Sequence, residues 1–254
     1  MNSRKLLTAC SQCAGIAALS ISSACALAQG GPPLVTDDPE TPGDAHWEIN
    51  IAAIGMLTRG QWDVDAPDAD INYGLGERIQ LKLDVPWSYS KEPNQAWKSG
   101  AGTAQAGVKW RFVDTVDSGL SMSTYPQLSW NLLSSSVSRG ITSPGRQFFL
   151  PIEAATVVGD FGLDGETGRN FVQQGQNQWM VGAVLAHSCG GSVECVGEVH
   201  ETLAAHNSQT LLNLGVHWKL NELVILLASA GREFGPPTDD QQRLRIYLGF
   251  QWLH

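Results

Sequence analysis

The side chains best able to do chemistry are six histidines, five cysteines and 25 carboxylates, and few of them stand at spacings that make a site. His200 and His206 lie six apart, and on an extended chain Glu198, His200 and Thr202 would share one face. A Glu198/His200 pair could act as a hydrolytic base or as part of a metal site. It could equally be two polar residues in a hydrogen-bond network. His217 alternates with apolar neighbours. The stretch Gly162-x-Asp164-Gly165-Glu166 lacks the carboxylate spacing and the closing Glu of a calcium loop. Cys189 and Cys195 flank Gly190-Gly191, and in an oxidising compartment such a pair reads as a disulfide closing a turn. A metal half-site with His187 is the alternative, but the local sequence supplies no further ligands. These residues imply neither a catalytic constellation, nor a resident metal, nor a cofactor.

The elements that hold these groups are extended. Ile79, Leu81, Leu83, Val85 and Trp87 alternate with Gln80, Lys82, Asp84, Pro86 and Ser88. The same period of two runs through Trp47–Ala53, Ala104–Phe112, Leu212–Leu220 and Arg243–Trp252, with the charges always on the polar side. A soluble sandwich also alternates. These segments, however, reach about ten residues, whereas globular strands average about five or six, and ten is what a tilted strand needs to cross a bilayer. Trp or Phe near the ends of the apolar faces, as at Trp47, Trp87, Trp110, Phe112, Trp130, Trp179, Trp218 and Trp252, fits the aromatic girdles of membrane barrels.

The chain begins as an exported one. Arg4 and Lys5 precede an uncharged stretch to Leu27, and Ala26-Leu27-Ala28 has the small-x-small pattern cut by a signal peptidase. Cleavage after Ala28 is expected. A short membrane anchor, or a lipoprotein through Cys25, is the alternative. Removing Arg4 and Lys5 leaves 14 basic against 25 acidic residues, a net charge of −11, which argues against nucleic acid as a partner. After the leader the longest apolar run is Leu223–Ala228, too short for a spanning helix, so a membrane location would require a closed barrel.

The expected organisation is a leader (1–28), an extended Pro/Asp/Thr-rich lead-in (29–44) and an all-β, antiparallel transmembrane β-barrel of about 12 strands (45–254). Expected spans are 45–57, 61–73, 77–90, 101–114, 120–132, 146–158, 161–171, 177–187, 195–206, 210–220, 222–233 and 242–253. Connections at one end are short, including Asp117-Ser118-Gly119 and Gly159-Asp160; at the other most are longer, as at Leu133–Gly145. Short periplasmic turns and long external loops are the known asymmetry. The inward, lumen-lining set is then Glu48, Lys82, Asp84, Lys109, Arg111, Glu153, Asp164, Glu166, Glu198, His200, Lys219, Arg243 and Arg245. Because first and last strands must pair, Arg243 and Arg245 are expected beside Glu48. The ending Leu248-x-Phe250-x-Trp252-x-His254 has the spacing offered to the barrel assembly machinery, with His in place of the usual final Phe.

Three stretches carry a family resemblance. Pro33-Leu34-Val35-Thr36-Asp37-Asp38-Pro39 with His46-Trp47-Glu48, then Asn72-Tyr73-Gly74-Leu75 leading to Arg78, Gln80, Leu81 and Lys82, and then Leu227-Ala228-Ser229-Ala230-Gly231-Arg232 resemble outer-membrane proteins of the meta-pathway phenol-degradation family. The resemblance implies a barrel of about twelve strands in the bacterial outer membrane that passes small organic solutes and has no catalytic motif. The partners expected are therefore outer-membrane lipid, the assembly machinery and small organic solutes. A lipid-acting barrel enzyme using His200, and a structural or adhesive barrel with a closed lumen, are the competing readings.

Overall fold

An alternating chain has as many polar side chains as apolar ones, and in a bilayer the polar set needs an enclosed space. The computed structural model of the chain provides one: a single antiparallel sheet whose first and last strands pair, closing it into a barrel. It describes residues 30–115, 119–205 and 207–254. The leader and its cleavage pattern, part of the turn at Asp117-Ser118-Gly119, and His206 lie outside the described residues.

Twelve strands cross the wall. They are β1 (Trp47–Leu57), β2 (Trp62–Leu75), β3 (Ile79–Lys91), β4 (Lys98–Ala101 continued by Thr103–Thr115), β5 (Leu120–Thr124 continued by Gln127–Asn131) and β6 (Arg146–Val158). Then come β7 (Phe161–Val172), β8 (Gln178–Gly190), β9 (Val193–Leu203), β10 (Ser208–Lys219), β11 (Val224–Phe234) and β12 (Leu244–Leu253). Each strand pairs with its neighbours in the chain, and β1 meets β12 from Glu48 opposite Leu253 to Leu57 opposite Leu244.

The differences from expectation have local causes. β4 is interrupted at Gly102, where a Cβ would lie 2.3 Å from the Ser88 hydroxyl. β5 breaks at Pro126, which has no N–H to give the ladder. Gly190 and Gly191, with φ of 109° and 59°, turn the β8–β9 hairpin so tightly that β9 starts at Val193, two residues earlier than expected. The connection after β5 contains a short helix, α1 (Ser134–Ser138), which no periodicity announced.

The outer wall is apolar. Ile246, Leu248 and Phe250 are 40%, 54% and 51% exposed, whereas Tyr247, Gly249 and Gln251 between them are buried. A soluble fold would pack the first set into its centre; here it faces outward along β12. At the turn end stand Trp47, Trp110, Phe161, Trp218 and Trp252, and at the loop end Trp87, Phe148, Phe171, Trp179 and Phe234, all exposed. Arg169 and Arg232 lie over the rings of Trp179 and Phe234 at that second rim. Strands of ten residues, rising about 3.3 Å each and tilted about 40°, give an apolar band about 25 Å tall. This is the outer surface of a membrane barrel.

Leu214, in the middle of β10 and 74% exposed, samples that band. Leu214→Arg is expected to destabilise the barrel in lipid vesicles by about 2–4 kcal/mol, and Leu214→Ala by much less. Denaturant titration of the two variants in phospholipid vesicles measures the difference; equal, small effects would mean that this face does not meet hydrocarbon.

Candidate functional site in the barrel interior

The lead-in does not trail from the barrel; it folds into it. Proline and aspartate suit a segment without a ladder partner, because one lacks an N–H and the other bonds its own backbone. Pro33, Thr36 and Pro39 are fully buried, and Leu34 packs against Val184, Ala186 and Val196 on β8 and β9. The wall is cut back to admit the segment: a Cβ on Gly182 would lie 2.0 Å from Thr36 Oγ1, and one on Gly74 would lie 1.7 Å from the Gly43 carbonyl oxygen.

Charged wall residues hold the segment. Glu198 Oε1 accepts from the backbone N–H groups of Val35 (2.9 Å) and Thr36 (2.5 Å), and its Oε2 accepts from Asn213 (3.1 Å). Lys109, 2% exposed, donates to Asp37 Oδ1 at 3.0 Å and to the Asp38 carbonyl, with Glu153 at 3.7 Å and the Tyr125 ring centroid at 4.7 Å. Arg111 binds Glu40 and the Glu77 carbonyl, Ser121 donates to Glu40, and Ser229 donates to the Pro33 carbonyl at 2.8 Å. The two adjacent aspartates differ in electrostatics. Burial pushes the Asp38 carboxyl well above the usual carboxylate range, against the pull of Lys109. Burial acts the same way on Asp37, but Lys109 and Lys82 together outweigh it and hold that carboxyl below its ordinary value.

Of the residues expected inside, Lys82, Asp84, Lys109, Arg111, Glu153, Asp164, Glu166, Glu198, His200 and Arg245 are buried or half-buried on the inner face, as is Glu48 at the turn end. Lys219 is not among them: it is exposed at the β10–β11 turn, paired with Glu222 at 3.0 Å. Arg243 is also exposed, just before β12, where its N–H bonds the Leu57 carbonyl. Neither Arg243 nor Arg245 sits beside Glu48. Antiparallel pairing puts Leu253 opposite Glu48 and Met56 opposite Arg245, so the arginines are at the loop end and Glu48 at the turn end.

Several interior residues escaped the alternation. A register shift in β2 between Asp65 and Asp68, around Pro67, resets the phase and turns Asp65, Asp68 and Asp70 inward together. Asp70 lies 3.4 Å from Lys82. Tyr125, fully buried beneath Lys109, sits at the break in β5. Uncharged amides such as Asn50, Asn72, Gln80 and Gln251 complete the wall; a count of charges alone passes over them.

The chemically suggestive residues resolve differently. Glu198 binds the lead-in and Asn213, and His200 Nε2 has no hydrogen-bond partner among the described residues, so the two do not form a dyad. Cys189 and Cys195 are joined in a disulfide across the β8–β9 turn. His187 instead bonds the Asp160 carbonyl and stacks on Phe161. Among the described residues no group of three His, Cys, Asp or Glu could hold a metal ion.

Around the lead-in two polar cavities remain. One of about 80 Å³ opens on the turn side, lined by Glu40, Glu48, Asn72, Lys109 and Gln251 among others. One of about 290 Å³ lies on the loop side, lined by Asp68, Asp84, Gln127, Phe149, Glu166 and Arg245 among others. Gly31, Pro32, Asp37, Asp70 and Lys82 line both, so the two cavities lie on either side of a partition formed by the lead-in and the Asp70–Lys82 pair of the β2–β3 wall.

No protein-family model matches the chain, and no curated protein matches it. Solved structures do. The COG4313 outer membrane channel from Pseudomonas putida F1 superposes with a TM-score of 0.63 at 11% identity, over 85% of this chain and 98% of that one. The KdgM porin, whose structure is also known in complex with disordered oligogalacturonate, gives 0.57 at 11% identity over 81% and 98%. The NanC porin gives 0.55 at 5% identity over 80% and 98%. The fold shared with these proteins is the closed barrel of outer-membrane channels.

Docking of the lead-in can be read by placing Thr36→Cys beneath Gly182, since the only cysteines after residue 28 are bonded to each other. Thiol labelling is expected to be slow in that background. Glu198→Ala removes two charge-assisted hydrogen bonds to the segment, each about 1.5–3 kcal/mol, and should speed labelling more than about a hundredfold. At neutral pH Asp37→Asn should speed it too, because an ionised partner of Lys109 is lost, while Asp38→Asn should slow it, because that carboxyl is buried at a cost when charged. The same shifts set the pH response. The Asp37 contribution is present above the ordinary aspartate pKa and fades as pH falls through its lowered value. The Asp38 contribution is present at low pH and fades as pH rises through its raised value. Identical labelling of the two Asn variants would contradict this division.

Proposed function

We propose that the chain is a bacterial outer-membrane channel through which small solutes pass passively, entering from the long-loop side and crossing the charged partition. The observation that carries this reading is the pair of polar cavities on either side of the lead-in, with Asp37, Asp70 and Lys82 lining both. A wall that only needed to be stable would be filled; here polar space continues on both sides of a segment wedged into the barrel. A barrel of this strand number is wider than a filled eight-stranded one and narrower than a general porin, which suits small solutes.

Charge gives the path its preference. Its lining has eight carboxylates, Asp37, Asp38, Glu40, Glu48, Asp68, Asp70, Asp84 and Glu166, against Lys82, Lys109 and Arg245. Acidic linings favour cations and disfavour anions, so neutral or cationic solutes fit better than anionic ones. The stretches similar to the meta-pathway phenol-degradation family support small organic solutes as the cargo. In this reading the interior residues Lys82, Asp84, Glu166 and Arg245 line the solute path, whereas Lys109, Arg111 and Glu198 hold the lead-in that narrows it. The outward Leu248, Phe250 and Trp252 of β12 remain the signal for the assembly machinery.

Single-channel recording in planar bilayers tests the proposal. The purified barrel should show a small conductance with a reversal potential displaced toward cation selectivity in a salt gradient. Lys82→Met should increase that displacement, and deletion of residues 30–42 should raise the conductance several-fold. No current from either the intact or the deleted chain would leave a sealed barrel and overturn the channel reading.

A further inference from the structure

The outer wall carries a polar edge at its loop end. Phe148 on β6 stands opposite Leu128 on β5 and Phe171 on β7, so three exposed apolar side chains form one row across the sheet. The two phenylalanine rings are stacked, with centroids 6.3 Å apart. A hollow of about 380 Å³ opens over this row, and Arg146, Gln173 and Asn177 border it where β6 starts and β7 ends. The side chains of that border are left with donors. Gln173 Oε1 accepts the Arg146 backbone N–H at 3.1 Å, and Asn177 Oδ1 accepts the Val172 N–H at 3.0 Å. These two bonds fix which way each amide points and leave both NH2 groups without an acceptor among the described residues. Gln147, also at the border, has its Oε1 taken by Asn170 at 2.9 Å. Arg146 adds a guanidinium, which has five N–H donors and no acceptor. It is exposed and pairs with no carboxylate among the described residues, whereas Arg59, Lys98 and Lys219 hold Asp239, Glu92 and Glu222. Arg169, two residues before Phe171 on the same outward face, likewise has no carboxylate and lies 5.4 Å from the Trp179 ring centroid.

We propose that this hollow is a docking site for a phosphorylated, acylated glycolipid of the outer leaflet, of the lipid A kind. A phosphate accepts hydrogen bonds from Arg146, Gln173 and Asn177, and an acyl chain lies along Leu128, Phe148 and Phe171. Charge complementarity selects the head: guanidinium groups recognise phosphate oxygens in pairs, and bonds to an ionised acceptor are about twice as strong as neutral ones. A neutral lipid head would leave those donors unused. In a chain whose acidic residues outnumber its basic ones 25 to 16, a border with free donors and no carboxylate is a local exception to the overall charge. The leaflet follows from the connections. Long loops mark the external end of such barrels, and Arg146 directly follows the long Leu133–Gly145 connection. The phosphorylated lipid of that outer leaflet is a glycolipid with several acyl chains, and the apolar row gives one of them a stacked aromatic surface to lie on.

The test uses the folded barrel in a neutral detergent, with diphosphorylated lipid A lacking core sugars as the probe. Native mass spectrometry counts the bound lipid, and the temperature of the heat-modifiable shift on gels reads the stabilisation that a ligand of the folded state confers. Lipid A should bind and raise that temperature. Arg146→Gln should weaken binding about tenfold, equivalent to about 1.4 kcal/mol, while Lys219→Gln at the opposite rim should leave it unchanged. Migration before heating establishes that each variant is folded. Removing the phosphates from the probe should cost the natural chain more affinity than it costs the Arg146→Gln chain, because the variant has already lost the phosphate contact. Equal binding of the phosphate-free probe, an Arg146→Gln barrel that binds as tightly as the natural one, or phosphatidylglycerol that binds as well as lipid A at the same concentration would each overturn the proposal. So would a dimer that lipid A fails to separate and Arg146→Gln does, since the hollow would then hold a second copy of the chain. None of these readouts depends on solute passage.

Discussion

Everything in this molecule follows from the rule that a bilayer satisfies no backbone hydrogen bonds. The sheet must therefore close, and the ladder between β1 and β12 is where it does so. Closure fixes which residues share the interior, because side-chain direction alternates along each strand and antiparallel pairing decides which ends meet. It is this pairing that separates Glu48 from Arg245 by about eight residues of β1, roughly 26 Å of strand. The interior is then a small volume crowded with ionisable groups that must be reconciled with one another.

The reconciliation is made largely by a segment that is not part of the wall. The lead-in brings Asp37 and Glu40 to Lys109 and Arg111, and its amides to Glu198. Without it, a fully buried lysine and a buried arginine would lose their nearest anions, and Glu198 its two backbone donors, keeping only Asn213. The glycines at 74 and 182 are spaces cut for it, which makes the wall and the segment two halves of one fitted surface. Whatever holds this segment therefore also sets how much polar space is left beside it.

The architecture was legible because its signal is periodic. Ile79–Trp87 and Leu244–Trp252 alternate without interruption, and the faces they predict are the faces observed. The site was only partly legible. Period-two reasoning finds Lys109, Glu153 and Glu198, which sit in unbroken stretches, but loses Asp68 and Asp70, which follow a bulge at Pro67 that shifts the phase. It misplaces Lys219 and Arg243, which have the right parity but stand at strand ends, where side chains reach solvent. The lead-in was invisible as a structural part for a different reason: a segment that pairs with no strand has no periodicity to read, and its contacts reach residues such as Glu198 and Ser229, far away in the chain.

The disulfide between Cys189 and Cys195 ties together the hairpin that carries one side of the cradle for the lead-in: Gly182, Val184 and Ala186 on one strand, Val196 and Glu198 on the other. In that hairpin Val184 stands opposite Glu198 and Ala186 opposite Val196. A slip of one residue would turn Glu198 outward into hydrocarbon and present an apolar side chain to the amides it should receive. A covalent tie at the turn pins the register of this hairpin, and so also secures the geometry of a contact deep in the lumen.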